Sequence, residues 1–183
     1  PVPAPRSTSM DDVNSNRPSI GKTITITQEQ LASSGIKVEA IGEKLAHDVY
    51  VKLYETWGLQ VFSNIAASEQ KHTDAVAVLL TRYGISDPTA GKATGEFANA
   101  DLQALYDQLV AQGAQSIDAA LKVGAAIEEI DILDLQEHTA ETVKVDILRV
   151  YENLRSGSEN HLRAFVSTLE NQTGASYAPQ YMD

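Results

Sequence analysis

The chain has 183 residues, enough for one domain with a sizeable core and an additional arm. It carries 14 Lys and Arg against 25 Asp and Glu, a net charge of -11 that argues against nucleic acid as a partner, because binding a phosphate backbone needs clustered basic residues. It has no cysteine, which excludes disulfides, thiolate zinc sites, iron–sulfur clusters and cysteine nucleophiles, so any metal must be held by oxygen and imidazole groups.

Residues 1–20 are rich in Pro, Ser, Asn and Asp, have no apolar period, and read as an extended arm. The chain opens at Pro1 with no basic segment leading into an apolar stretch. No signal peptide is expected, and the start fits a processed chain that is secreted or held at the cell surface. The alternation Lys22-Thr23-Ile24-Thr25-Ile26-Thr27 predicts a β-strand. A lone strand needs a partner edge, and a second copy of the chain could supply it.

Helical signals follow. Thr27 with Gln30 three residues later resembles a capping box and predicts a short helix through Ser34, stopped at Gly35. A long helix is expected over about Val38–Trp57, with Ala46, Val49, Tyr50, Leu53 and Trp57 inward and Gly58 as its stop. A second is expected over about Val61–Tyr83, with Phe62, Ile65, Ala66, Val76, Leu79, Leu80 and Tyr83 inward. Ser86–Gly95 reads as a loop, and Asn99–Gly113 as a shorter helix. Ser116 caps a third long helix through about Glu137, and the fourth spans about Glu141–Gln172. No apolar run approaches the roughly 20 residues that span a membrane. The expected fold is all-α: an arm and short helix over 1–34, a four-helix bundle over 35–173 with one long crossover, and an irregular tail over 174–183.

The polar residues that interrupt the apolar stripes need a reason, because a buried carboxylate is costly without a partner or a metal. Glu69 and His72 lie between Ala66 and Val76 on the second helix, one turn apart on one face. Glu43 is in phase with the stripe of the first helix. His47, one turn on, suits a structural or surface role. Glu128 follows Leu121 and Gly124 in phase, with Asp131 at i+3, while Glu129 is rotated about 100° away and is the weaker candidate. Gly124 would leave room beside such a site. His161 lies between Leu154 and Phe165, but the position three before it is Ser158 and not Glu.

Glu43-Lys-Leu-Ala-His-Asp-Val-Tyr50, the stretch Phe62 to His72, Ile127-Glu-Glu-Ile-Asp-Ile132 and Asn160-His-Leu-Arg-Ala-Phe165 resemble a bacterial and archaeal ferritin-like family known as a domain of unknown function. The resemblance covers roughly residues 38–170. Ferritin-like bundles draw a Glu from each of two helices and Glu-x-x-His from each of the other two. The resemblance therefore implies a di-iron or di-manganese centre among Glu43, Glu69, His72, Glu128, Asp131 and His161, oxidising Fe(II) or reducing peroxide. Glu69 and Glu128 would bridge, and Asp131 would make up for the missing carboxylate at Ser158. Zn or Cu are further candidates for such donors. The competing expectation is a self-assembling surface or filament subunit, a homo-oligomer joined by strand addition through Thr23–Thr27, with metal binding secondary.

Overall fold

The computed structural model describes residues 28–182, with side chains from residue 35 onward. The predicted strand Thr23–Thr27 and the cap at Thr27 lie outside the described residues. Within them the chain is all-helical: α1 (Gln28–Trp57), α2 (Gln60–Arg82), α3 (Ala100–Gly113), α4 (Ile117–Glu141) and α5 (Val145–Thr173). Among these residues no helix is long and apolar enough to cross a membrane.

The expected break at Gly35 is absent, and α1 runs through it as one helix. Gly35 is there for space: a Cβ at this position would lie 3.0 Å from the Tyr151 hydroxyl. The glycine leaves room for the end of the Tyr151 side chain against α1, and packing outweighs the modest helix penalty of one glycine. Gly58 does stop α1, in the left-handed conformation at φ 64° that favours glycine. The turn is tight enough that α2 begins at Gln60 and folds back along α1.

Contacts along the helices set the topology. Tyr50 meets Phe62, and Glu43 meets His72, so α1 and α2 are antiparallel. Glu39 meets His138 and Tyr50 meets Glu128, so α1 and α4 are antiparallel as well. On the other side Phe62 meets Phe165 and Arg82 meets Asp146, which makes α2 and α5 antiparallel. The four long helices thus form a ring in the order α1, α2, α5, α4. Because α2 and α4 run the same way at opposite corners, the chain must climb the whole bundle between them. It does so along the flank of α1. Lys44 Nζ donates to Ala93 O (3.0 Å), Asp48 Oδ2 accepts from Gly95 N (2.9 Å), and Trp57 Nε1 donates to Gly113 O (2.9 Å). Asn99 caps α3 through the amides of Asp101 and Leu102, and Ser116 caps α4 through Ala119.

The core divides in two. At one end Tyr50, Phe62 and Phe165 pack ring on ring among Leu45, Leu53 and Leu121. At the other, Ile36, Val76, Leu79, Leu135, Ile147, Tyr151 and Leu154 form a separate apolar group. A polar belt lies between them. Tyr83, expected inward, is 37% exposed and gives its hydroxyl to Asp146 Oδ1 at 2.8 Å. The tail after Gly174 is irregular but not loose: Tyr177 and Tyr181 pack against the core.

Candidate metal centre

The belt between the two apolar groups is built from one face of each long helix. Glu39 and Glu43 come from α1, Glu69 and His72 from α2, Glu128 and Asp131 from α4, and Ser158 and His161 from α5. The spacings i, i+3 and i, i+4 keep each pair on the inner face, so the four helices converge on one volume. Glu39, Glu43, Glu69 and Glu128 are each at most 2% exposed.

These side chains form three groups whose ligand atoms lie within 4.8 Å of one another. Glu43, Glu69 and His72 make the first, Glu69, Glu128 and His161 the second, and Glu39, Glu43 and Asp131 the third. Glu69 belongs to the first two. His72 Nδ1 is 2.8 Å from Glu69 Oε2 and 3.1 Å from Glu43 Oε2. His161 Nδ1 is 2.7 Å from Glu69 Oε1 and 3.4 Å from Glu128 Oε2. The two imidazoles stack with centroids 5.4 Å apart.

His72 and Glu43 Oε2 are hydrogen-bonded, but not every close pair here is. Among the described residues, His161 Nδ1, Glu69 Oε1 and Glu43 Oε1 are buried without a hydrogen-bond partner. Buried polar atoms are ordinarily satisfied, and an unsatisfied group costs about 1–3 kcal/mol. Unpartnered atoms on carboxylates and an imidazole that lie this close are the arrangement that a cation would complete. The donor set, carboxylate plus one imidazole in each of two groups, fits Fe, Mn or Zn.

Electrostatics point the same way. Burial pushes the Glu43 carboxyl well above its ordinary range, and the charges of Asp131 and Glu69 push it further. Asp131 is raised in the same sense by burial and then by Glu39 and Glu128. Burial, followed by the charge of Glu69, lifts Glu128 to about 7. Glu69 is also buried, but the approach of His161 and His72 outweighs that and holds it at about 2. Burial alone would lower His161, yet Glu128 and Glu69 raise it to about 10. Without a cation the cluster must therefore retain protons.

The surrounding residues fix these positions. Tyr50 donates its hydroxyl to Glu128 Oε1 at 2.6 Å. Ser158, at the position where a second Glu-x-x-His would carry its Glu, donates instead to Asp131 Oδ2. Gly157 leaves space for His72: a Cβ there would lie 2.6 Å from its Cε1. Gly124, expected to open room beside the site, makes room for the Phe165 ring, which a Cβ would approach to 2.7 Å.

The structure thus brings together all six residues singled out in the sequence, but in a different pairing. Asp131 joins Glu39 and Glu43, whereas Glu128 and His161 group with Glu69. The residues shared between groups are Glu69 and Glu43, rather than Glu69 and Glu128. Sequence reasoning missed Glu39, one turn before Glu43, and His138, whose Nδ1 is 2.6 Å from Glu39 Oε1. The i, i+4 spacing from Glu39 to Glu43 was the available signal. Glu129 is buried as well, and its Oε2 accepts the amides of Gln180 (2.9 Å), Tyr181 (2.6 Å) and Met182 (3.2 Å). His47 stays peripheral, with Nδ1 2.8 Å from Asp48 Oδ1.

An antiparallel ring of four helices with a carboxylate and histidine belt defines a bundle able to hold a metal. Residues 38–183 match the family described as an uncharacterized protein domain, DUF2202, and the chain belongs to that family. It is 52% identical over 140 residues to the uncharacterized protein MJ0754 of Methanocaldococcus jannaschii, covering 76% of this chain and 75% of that one. The crystal structure of MJ0754 superposes with a TM-score of 0.80 at 48% identity, covering 87% of this chain and 90% of that one. A two-domain protein of Anabaena variabilis, containing DJ-1/ThiJ/PfpI-like and ferritin-like domains, matches with a TM-score of 0.65 at 15% identity. That match covers 84% of this chain and 43% of the other, and speaks to the fold alone.

Proposed function

We propose that this protein is a ferritin-like di-metal protein, an oxidoreductase or iron-handling protein whose two metals share Glu69. The observation that carries this reading is the position of Glu69 between His72 on one side and His161 on the other. Each metal would take one histidine and one further carboxylate, Glu43 with His72 and Glu128 with His161. Iron or manganese held so would supply one-electron chemistry toward dioxygen, peroxide or Fe(II).

The chain's own residues do the rest. Tyr50 holds one oxygen of Glu128 and so leaves the other free to face His161. The packed rings of Tyr50, Phe62 and Phe165 keep water from the site on that side. His72 and His161 are each slightly exposed at the side chain, 13% and 10%. The protons held by Glu43, Asp131 and His161 would leave as a cation enters, so binding is coupled to pH.

The test is electron paramagnetic resonance on the full chain loaded with Mn(II). A shared carboxylate predicts an exchange-coupled pair. Spectra of isolated Mn(II) at every loading would contradict the reading.

A further inference from the structure

We infer that Glu39, Glu43 and Asp131 form a third cation position, distinct from the two histidine-containing groups and made of carboxylates alone. The inference rests on the reading that Glu43 also serves the His72 group, and its test separates the two.

Two independent observations carry it. The first is geometric: the three residues, from α1 and α4, bring ligand oxygens within 4.8 Å of one another, and none of them is a histidine. The second is that Glu43 has an oxygen to offer. Its Oε2 accepts from His72 at 3.1 Å, while Oε1 is buried without a partner in a side chain only 1% exposed. The nearest charges that act on it are Asp131, Glu69 and Glu39.

The other two carboxylates are held as ligands of a cation are held. Glu39 Oε1 takes the His138 imidazole at 2.6 Å, and Asp131 Oδ2 takes the Ser158 hydroxyl. Each keeps its second oxygen for another partner. Such outer partners orient ligating carboxylates in metal sites, and their loss costs roughly 10–100-fold in affinity. Two imidazoles flank this trio from outside, His138 at Glu39 and His72 at Glu43, against three carboxylates, so the group is left short of positive charge.

The donor set decides the ligand. Three oxygens without imidazole suit a hard cation such as Mn(II), Ca(II) or Fe(III) better than Zn(II) or Cu(II). Glu43 is common to it and to the His72 group, so the two positions would be neighbours that share one side chain. His138 and Glu39 lie toward the end of the bundle where α1 begins and α4 ends.

The experiment is anomalous diffraction from crystals of the full chain soaked in Mn(II) alone, for the wild type, Asp131→Asn and Glu39→Gln. Asn is isosteric with Asp131 and can still accept from Ser158. The expected result is a wild-type peak in bonding range of Glu39, Glu43 and Asp131. That peak is lost in both variants, while peaks beside His72 and His161 remain. A wild type with peaks at the histidine groups alone, at saturating Mn(II), overturns the third position and leaves the di-metal reading standing. A third peak without the other two does the reverse. If a variant fails to crystallise, the wild-type map decides.

Discussion

The hydroxyl of Ser158 donates to Asp131 Oδ2, and this contact puts a carboxylate from α4 where α5 supplies none. Ser158 is fully buried, so the bond is shielded from water on the α5 side. Replacing Ser158 with Ala removes the only side-chain donor to this oxygen among the described residues and leaves a half-buried acceptor without it. We expect Ser158→Ala to lose about 1–3 kcal/mol of stability without metal, measured by urea unfolding. Unchanged stability would mean that Asp131 finds water in place of the hydroxyl.

Gly157 allows a sharper separation of site from fold. Gly157→Ala should favour the α5 helix by roughly 0.5–1 kcal/mol on propensity alone. Its Cβ would meet the His72 ring at 2.6 and 2.7 Å and displace it. The variant is expected to fold as stably as the wild type, within about 1 kcal/mol, yet bind metal at least about tenfold more weakly, read by competition with a chromogenic chelator. Retained affinity would show that His72 is not a ligand.

Tyr50 tests the second histidine group. Its hydroxyl at 2.6 Å lowers Glu128, which burial and Glu69 otherwise raise. Tyr50→Phe keeps the ring packing and removes the donor. Glu128 then holds its proton to higher pH, and the pH midpoint for binding of the metal beside His161 moves upward. A midpoint that stays fixed would contradict this role.

The pH dependence of stability without metal follows from the same groups. Glu128 is raised from an ordinary 4.5 to about 7, so the folded chain holds its proton more tightly than the unfolded chain. Its contribution is full below 4.5 and is lost as pH rises through about 7. His161, raised from 6.5 to about 10, contributes fully below 6.5 and loses that contribution through about 10. Glu69, lowered from 4.5 to about 2, contributes above 4.5 and loses that as pH falls through about 2. Metal-free protein should therefore melt at lower temperature at pH 9 than at pH 5.5. Metal, which replaces the protons, should stabilise more at the higher pH. Thermal scans with and without Mn(II) at the two values check both signs.

The helices α2 and α5 were legible because each has one apolar stripe, and a charge on that stripe stands out. Glu69 with His72, and His161 between Leu154 and Phe165, were visible for this reason. The helix α4 is different. It packs against α1, α3 and α5 and holds the tail, so Glu128 and Glu129 are both buried on different sides. A single stripe does not describe such a helix, and the weaker candidate Glu129 proved to be the anchor of residues 180–182. His138 escaped notice because its link to Glu39 joins positions 99 apart in the chain. No local period carries that pairing.

The shared carboxylate is the centre of this account, and Glu69→Gln addresses it most directly. Metal content per chain, by inductively coupled plasma mass spectrometry after Mn(II) or anaerobic Fe(II) loading and desalting, is the measurement. The wild type is expected to hold about two more ions per chain than Glu69→Gln, with the helical circular dichroism unchanged. A difference of one ion would show that the two positions do not share Glu69, and a wild type that holds no metal would refute the centre itself.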